Sequence, residues 1–202
     1  MKLGMVIKPS RCIGCDGCTV SCKTYNALGP NVVYRKVHKF EVGKYPNAKR
    51  ASFPALCNHC ENPACEKVCP TGATYKDDKG RVQVDPDKCI GCRMCMGACP
   101  YGARTFNWGP QQSYFPHSEA GNVIDEAVAP RHRVGVAEKC TMCKNRTDEG
   151  LDPLCVHNCP ARALVFGDFD DPTSEVSKLV ATGRTYTLLP EKGTLPQVHY
   201  MD

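Results

Sequence analysis

Cysteine constrains this chain more than any other residue, because sixteen of its 202 residues are Cys and all sixteen fall into four groups. At about 8% of the residues, cysteine is frequent enough for sulfur chemistry, rather than an apolar core, to decide the fold. Small cores of this kind depend on disulfides or metals. In chain order, groups 1 to 4 are Cys12, Cys15, Cys18, Cys22; Cys57, Cys60, Cys65, Cys69; Cys89, Cys92, Cys95, Cys99; and Cys140, Cys143, Cys155, Cys159.

The spacing within the groups points to one kind of metal site. Groups 1 and 3 read C-x2-C-x2-C-x3-C, while group 2 widens one gap to four residues and group 4 widens it to eleven. Groups 2, 3 and 4 each end in Cys-Pro-x-x-Ala. In two-cluster ferredoxins, three cysteines of this motif hold one 4Fe–4S cluster and the fourth, followed by Pro, ligates the other cluster. Sixteen thiolates supply four ligands to each of four clusters, so the spacing predicts four 4Fe–4S clusters.

Two other uses of sixteen cysteines fit the pattern less well. Eight disulfides in a secreted scaffold are possible by number, but repeated x2 spacings suit a metal better than bridges. Zinc sites use paired C-x2-C knuckles, which groups 2 and 4 alone would tolerate. Zinc would leave cysteines of groups 1 and 3 without a metal, so iron–sulfur clusters remain the favoured interpretation.

The segment between groups 2 and 3 indicates which groups work together. Asp78-Lys79-Gly80 lies between alternating residues, which is typical of a hairpin. Such a hairpin is expected inside one two-cluster unit, so group 2 pairs with group 3, and group 1 pairs with group 4. With the exchanged fourth ligand, the predicted ligands are Cys12, Cys15, Cys18, Cys159 for cluster 1; Cys22, Cys140, Cys143, Cys155 for cluster 2; Cys57, Cys60, Cys65, Cys99 for cluster 3; and Cys69, Cys89, Cys92, Cys95 for cluster 4.

This pairing predicts an α+β fold of two ferredoxin-like two-cluster units, one inserted in the other, with short helices, hairpins and long loops. Unit A comprises residues 1–52 and 134–170 with clusters 1 and 2, and unit B comprises residues 53–108 with clusters 3 and 4. Residues 109–133 contain no cysteine and are expected to form a surface excursion that contacts a partner. Residues 171–202 are expected to form a C-terminal helix and tail.

The start and end of that C-terminal helix have sequence signals of their own. Asp171 is a suitable N-cap, Pro172 suits the first helical position, and Gly183 can end the helix. The acidic run around Asp171 is therefore interpreted as a cap rather than as a metal site.

Charge and hydropathy argue against two further classes of function. The formal net charge is +5, but Lys and Arg are scattered and aromatic residues make up only 7%, so nucleic-acid binding is not expected. Each oxidised cluster with its four thiolates carries about −2, so four clusters would bring the net charge to about −3. The sequence contains no run of about 18 apolar residues, so a membrane-spanning helix is not expected. Residues 1–12 lack an apolar signal region, so we expect no export signal on this chain.

Nothing in the sequence predicts a catalytic site. The chain has no dinucleotide fingerprint, no phosphate loop and no His-Glu-x-x-His motif. Since sixteen thiolates already satisfy four clusters, His59 and His157 are expected to lie beside ligands or in solvent. Lys23, Arg93 and Lys144 follow ligands in the chain, so we expect them to tune cluster potentials by charge and hydrogen bonding. The predicted role is electron transfer.

These motifs resemble the four-cluster iron–sulfur subunits of molybdopterin oxidoreductases of the dimethyl sulfoxide reductase family, which include polysulfide, thiosulfate, tetrathionate and arsenate reductases. The resemblance spans nearly the whole chain, from the start at residues 1–6 through all four groups and Lys139-Cys140-Thr141-Met142-Cys143-Lys144-Asn145-Arg146 to residues 190–194. It implies the same cluster pairing. Nitrate reductase subunits of this type have Trp in place of one group 3 cysteine, whereas Cys92 is retained here, so four cubanes are expected.

The resemblance also implies partners. A catalytic subunit would hold the molybdopterin, with Mo or W, and cluster 1 would lie nearest to it. Cluster 4 would lie nearest a membrane quinol-oxidising anchor subunit, where one exists. Family relatives often cross the membrane folded, so we expect a membrane-associated complex on the outer face of the cytoplasmic membrane rather than in the cytoplasm.

The expected function is electron relay between a quinol-linked or other donor and the molybdopterin catalytic subunit, in anaerobic respiration. Two alternatives stay open: the same subunit serving a soluble transhydroxylase or aromatic dehydroxylase complex, and a free polyferredoxin. The excursion at residues 109–133 and the extended tail favour a fixed partner over a shuttle.

Overall fold

Short strands and short helices alternate along the chain, as expected of a sequence with brief apolar runs between cysteine groups. The structure is a computed structural model, and it describes residues 1–110, 112–118 and 132–202. Over those residues the strands are β1 Leu3–Ile7, β2 Arg35–Val42, β3 Lys49–Leu56, β4 Thr74–Lys76, β5 Val82–Val84, β6 Thr105–Phe106, β7 Ala137–Glu138, β8 Leu164–Asp168, β9 Thr185–Tyr186 and β10 Val198–Met201. The α-helices are α1 Gly17–Asn26, α2 Ala64–Lys67, α3 Met94–Gly97, α4 Lys144–Asp148, α5 Leu154–His157 and α6 Glu175–Ala181; 3₁₀ turns span Pro9–Arg11 and Pro190–Lys192.

The main sheet has four strands in the order β8–β1–β10–β9. β1 pairs antiparallel with β8 and parallel with β10, so that Met5 lies opposite Phe166 on one side and Val198 on the other. Its five residues are all buried, as their continuous apolar run requires of a central strand. The tail expected at residues 171–202 therefore contributes a strand to the centre of the sheet.

Three two-stranded hairpins complete the β-structure: β2–β3, β4–β5 and β6–β7. The β4–β5 hairpin is the one predicted between groups 2 and 3, and Gly80 at its turn has a φ of +77°. β2–β3 is the longest hairpin, pairing Arg35 with Leu56 at its buried end. The expected boundary between units A and B, at residues 52 and 53, falls inside β3.

Each cysteine group contributes a short helix, and the helices pack in pairs. α1 of group 1 packs against α5 of group 4, while α2 of group 2 packs against α3 of group 3. Asn158 Nδ2, which follows α5, donates a hydrogen bond to Ser21 Oγ of α1 at 2.9 Å. One helix pair thus joins groups 1 and 4, and the other joins groups 2 and 3.

The C-terminal helix is present, but it begins later than the sequence predicts. α6 begins at Glu175 with Ser174 in the N-cap position, so the prediction of Asp171 as the N-cap is wrong by three residues. The Asp171 carboxylate instead accepts hydrogen bonds from the Thr173 amide at 2.8 Å and the Thr173 hydroxyl at 2.7 Å. These bonds close a turn before the helix. Gly183, with a φ of +68°, follows the helix end as predicted.

Only part of the expected surface excursion lies within the described residues. Tyr114 Oη donates to the Leu28 carbonyl at 3.1 Å and accepts from Lys23 Nζ at 2.9 Å, which fixes this part of the excursion against the end of α1. Residues 111 and 119–131 lie outside the described residues, and with them most of the predicted partner contact. Among the helices that the structure describes, none combines the length and the apolar character needed to cross a bilayer.

Candidate metal centres

The first C-x2-C turn of each of the four groups shares one backbone feature. The residue directly before the second cysteine has a left-handed φ: +68° at Gly14, +41° at His59, +70° at Gly91 and +56° at Met142. This conformation turns the chain sharply between two thiols, and it is strained for any residue other than glycine. The same local geometry therefore recurs at four places, twice with glycine and twice with a large side chain.

The first set of four cysteines lines one small cavity. Cys12, Cys15, Cys18 and Cys159 line it, so that one cysteine of group 4 lies with three of group 1. Burial raises the pKa of the Cys12 thiol, and the neighbouring thiols of Cys18, Cys159 and Cys15 raise it further.

The second set lines another cavity, beside the central strand β1. Its cysteines are Cys22, Cys140, Cys143 and Cys155, one from group 1 and three from group 4. Burial raises the pKa of Cys22 to about 12, with further contributions from the thiols of Cys155 and Cys143. These eight cysteines thus form two sets of four, each drawing on both groups.

Groups 2 and 3 mix in the same way. Burial raises the pKa of Cys60 to about 12, and the thiols of Cys57, Cys65 and Cys99 contribute to the increase. Cys99 belongs to group 3 and the other three to group 2, so this is the predicted set for cluster 3. Burial raises the pKa of Cys95, and the thiols of Cys65, from the third set, and of Cys89 raise it further. Cys69 and Cys92 join that fourth set by the exchanged-ligand rule alone.

The donor chemistry of these sets fits iron–sulfur clusters. All sixteen cysteines, each within the described residues, are free thiols. A buried thiol with its pKa near 12 is protonated at neutral pH, so four neighbouring thiolates require a bound metal centre to balance their charge. Within the described residues, no three His, Cys, Asp or Glu side chains come close enough to bind a single metal ion. A multi-iron core, whose ligands bind different iron atoms, suits the arrangement better.

Orphaned buried cations provide a second test of the fit. Nε and Nη2 of Arg35, and all three guanidinium nitrogens of Arg104, are buried without a hydrogen-bond acceptor. Leaving charged donors unpaired in the interior is costly unless an anion lies nearby. Because both side chains lie among the paired cysteines, an anionic cluster with its thiolates is the counter-charge that they fit.

The three cations that the sequence predicts to tune the clusters make the following contacts with groups other than cysteines. Lys23 Nζ donates to the carbonyls of Gly29 and Pro30, and Lys144 pairs with Asp148. Arg93 stacks over Trp108, 4.7 Å from the ring centroid.

The buried cations among the thiols are instead Arg35, Arg104 and Lys139. Two of them could have been found from the sequence, because they adjoin a cysteine motif: Arg104 directly follows Cys-Pro-Tyr-Gly-Ala, and Lys139 directly precedes Cys140. Arg35 had none, because only the hairpin β2–β3 brings it to group 4.

The two histidines of the cysteine groups lie in different environments. His59 is fully buried, and its Nδ1 accepts a hydrogen bond from the Val82 amide at 3.1 Å. Burial lowers the pKa of His59 well below its ordinary value, and the charges of Lys139, Arg81 and Arg104 act in the same direction. His157 is exposed at the end of α5.

Comparison with known proteins agrees with these centres. Residues 48–114 and 126–169 match the model of the 4Fe-4S dicluster domain family, and residues 9–25 match a 4Fe-4S binding domain. The chain is 45% identical to the B subunit of selenate reductase from Mesobacillus selenatarsenatis, over 98% of this chain and 70% of that protein. It is 40% identical to the arsenate respiratory reductase iron–sulfur subunit of a Shewanella species, over 100% and 96%. With the B subunit of the anaerobic dimethyl sulfoxide reductase of Escherichia coli the identity is 36%, over 98% and 84%.

Proposed function

Since this protein belongs to the 4Fe-4S dicluster family of iron–sulfur B subunits of dimethyl sulfoxide reductase-type complexes, we propose that it relays electrons through four clusters to a molybdopterin catalytic subunit. Its family role is electron transfer, and it is not the catalytic subunit. The observation that carries the proposal is the grouping of thiols in three of the four sets, in each of which three cysteines of one group lie with one cysteine of another.

The proposed ligands follow from these sets. Cys12, Cys15, Cys18 and Cys159 hold cluster 1, and Cys22, Cys140, Cys143 and Cys155 hold cluster 2. Cys57, Cys60, Cys65 and Cys99 hold cluster 3, and Cys69, Cys89, Cys92 and Cys95 hold cluster 4. When bound, a 4Fe–4S cluster accepts one electron as its core changes from 2+ to 1+ and passes that electron on.

The exchanged ligands support two two-cluster units, with the unit of groups 2 and 3 inserted between groups 1 and 4. The units meet where the thiols of Cys57 and Cys140 influence each other, which supports clusters 2 and 3 as neighbours. The proposed electron path therefore runs through clusters 1, 2, 3 and 4 in order.

The two ends of this path are accessible from solvent. Cys15 of the first set and Cys92 of the fourth set are exposed. Beside them Ile13 and Ile90 are both 67% exposed, although isoleucine is a residue that usually lies inside. We assign cluster 1, beside Ile13, to the catalytic subunit, and cluster 4, beside Ile90, to the electron donor, a membrane quinol-oxidising subunit where the complex has one. The names of the relatives, as lettered subunits of reductases, support a multi-subunit complex.

Purification from the native source under anaerobic conditions tests this function. We expect the chain to co-purify with a large molybdopterin-containing subunit, and the reduced chain to become reoxidised when that subunit turns over its substrate. A chain that purifies alone and exchanges electrons equally well with unrelated enzymes would contradict the proposal and favour a free polyferredoxin.

A further inference from the structure

Three buried cations are distributed in a regular way along the proposed path. They are Arg35, Lys139 and Arg104, each at most 6% exposed, and among the described residues none of the three forms an ion pair with a carboxylate. Burying an uncompensated positive charge costs several kcal/mol, so each needs a negative charge in its surroundings. Their neighbours are the cysteines.

Arg35 lies between the first and second sets of thiols. Its Nη1 is 3.7 Å from Cys155 Sγ of the second set. Burial lowers the pKa of Arg35, but the negative charges of Cys155 and of Cys18, from the first set, more than compensate and raise it. This guanidinium therefore faces clusters 1 and 2 at once.

Lys139 lies between the second and third sets. Its ammonium group donates to the carbonyl oxygens of Val82 and Cys140, the latter at 2.8 Å. Lys139 directly precedes Cys140 of the second set, and the Val82 to which it donates also bonds to His59, which directly precedes Cys60 of the third set. Lys139 is the cation at the junction of the two units.

Arg104 occupies the corresponding place between the third and fourth sets. The helices α2 and α3, which carry Cys65 of the third set and Cys95 of the fourth, pack against each other, and the charges of these two cysteines act on the buried Arg104 guanidinium. Its three nitrogens have no hydrogen-bond acceptor. Each of the three junctions in the line of four clusters thus holds one buried cation.

Another buried arginine shows that this pattern is not general. Arg81 is fully buried, but it forms ion pairs with Asp77 at 2.8 Å and with Asp148 at 2.7 Å. Its charge is balanced by carboxylates, as is usual for a buried cation. The three junction cations are those that lack such a partner.

We propose that Arg35, Lys139 and Arg104 are positioning charges, one at each junction, which favour the reduced state of the two clusters on either side. The inference rests on the proposed four-cluster assignment. As an electron passes along the line, one cluster core returns from 1+ to 2+ while its neighbour changes from 2+ to 1+, so the moving negative charge stays close to a fixed positive charge. The shared cation also weakens the repulsion between two reduced neighbours.

The test is anaerobic equilibrium reduction of the reconstituted full-length chain at set potentials, followed by EPR. Wild-type protein must first contain about sixteen iron atoms and show four reduction steps, which tests the cluster assignment by itself. Arg35→Gln, Lys139→Gln and Arg104→Gln remove the charges one at a time. In each variant we expect two of the four clusters to become at least tenfold harder to reduce, a shift of about −59 mV for one electron.

The pattern of shared clusters distinguishes a charge effect from a structural one. The double variant Arg35→Gln/Arg104→Gln is expected to shift all four clusters. Arg35→Gln/Lys139→Gln is expected to shift three, with the shared cluster 2 shifted most. Arg81→Gln/Asp77→Asn is the matched control: it removes a buried arginine together with a carboxylate that balances it, so the net charge does not change and all four potentials should stay unchanged.

Charge-conserving variants keep the test decisive if a Gln variant does not retain its iron. Arg35→Lys, Lys139→Arg and Arg104→Lys alter the hydrogen bonds but keep the charge, so their potentials should stay within a threefold change in the reduced-to-oxidised ratio. Fully loaded Gln variants with wild-type potentials would overturn the inference, and so would Lys and Arg variants that shift as far as the neutral ones.

Discussion

The first C-x2-C turns of groups 1 and 3, at the two ends of the proposed path, differ from those of groups 2 and 4 in its middle, although these four turns share one backbone conformation. At the ends, Ile13-Gly14 and Ile90-Gly91 combine an exposed isoleucine with a glycine. In the middle, the residues with positive φ are His59 and Met142, which are 0% and 1% exposed. At the residue before the second cysteine, the left-handed φ is thus free of strain at the ends and strained in the middle.

This difference shows what each pair of turns contributes. In the middle turns, burial of the side chain offsets the backbone strain, because His59 accepts a bond from Val82 and Met142 fills the interior beside the second set of thiols. In the end turns the isoleucine side chains are mostly exposed, so each leaves apolar surface beside an exposed cysteine. The middle turns therefore contribute side chains to the interior, and we propose that the end turns present clusters 1 and 4 to partners.

Removal of a ligand should produce the largest effect and tests how the sets are composed. Cys159→Ser is expected to lose cluster 1, about four iron atoms per molecule, because group 4 supplies the fourth ligand of the set around Cys12. Cys22→Ser, the matched variant in group 1, should instead lose cluster 2. Iron analysis with EPR measures both, and retention of the Cys12 cluster in Cys159→Ser would disprove the exchange of ligands.

Truncation of a middle turn should affect stability more than truncation of an end turn. Met142→Ala is expected to destabilise the holoprotein by about 2–5 kcal/mol, because it leaves a cavity beside buried thiols. Ile90→Ala should change stability by less than about 0.5 kcal/mol, since its side chain is mostly in solvent. Guanidinium-induced loss of cluster absorption measures both, and equal effects would remove the distinction between the turns.

The two end glycines should differ in their tolerance of a methyl group. A Cβ at Gly91 would lie 2.3 Å from the carbonyl oxygen of Gly135, which is main chain and has little room to move. A Cβ at Gly14 would lie 2.5 Å from Ser52 Oγ, which can rotate away. Both alanines incur about 1–2 kcal/mol from the left-handed φ, so Gly91→Ala should be the more destabilising. The same unfolding measurement ranks them, and the reverse order would contradict this account of the turns.

The smallest expected effect on the molecule itself is at an exposed isoleucine. Ile13→Ala should leave stability and iron content unchanged, but its affinity for the catalytic subunit should fall by about 1 kcal/mol, or roughly fivefold in Kd. Ile90→Ala is the matched control, because it lies beside cluster 4. Binding measured between the two purified subunits should respond to Ile13→Ala and not to Ile90→Ala; the opposite result would reverse the assigned direction of the path.

The sequence was informative where chemistry depends on spacing along the chain. Cysteine spacing predicts the mixed sets, and Asp78-Lys79-Gly80 predicts the β4–β5 hairpin. It was silent where a role depends on contacts between distant residues. Strand β10 pairs with β1, which lies far from it in the sequence, and no local sequence pattern predicts this pairing. Arg35 meets the cysteines of group 4 only through the fold.

Iron and acid-labile sulfide analysis of the anaerobically purified protein tests the central claim most directly. Four 4Fe–4S clusters held by sixteen cysteines require about sixteen iron atoms and about sixteen sulfides per molecule. Values near eight of each, or a folded protein that contains zinc in place of iron, would contradict it.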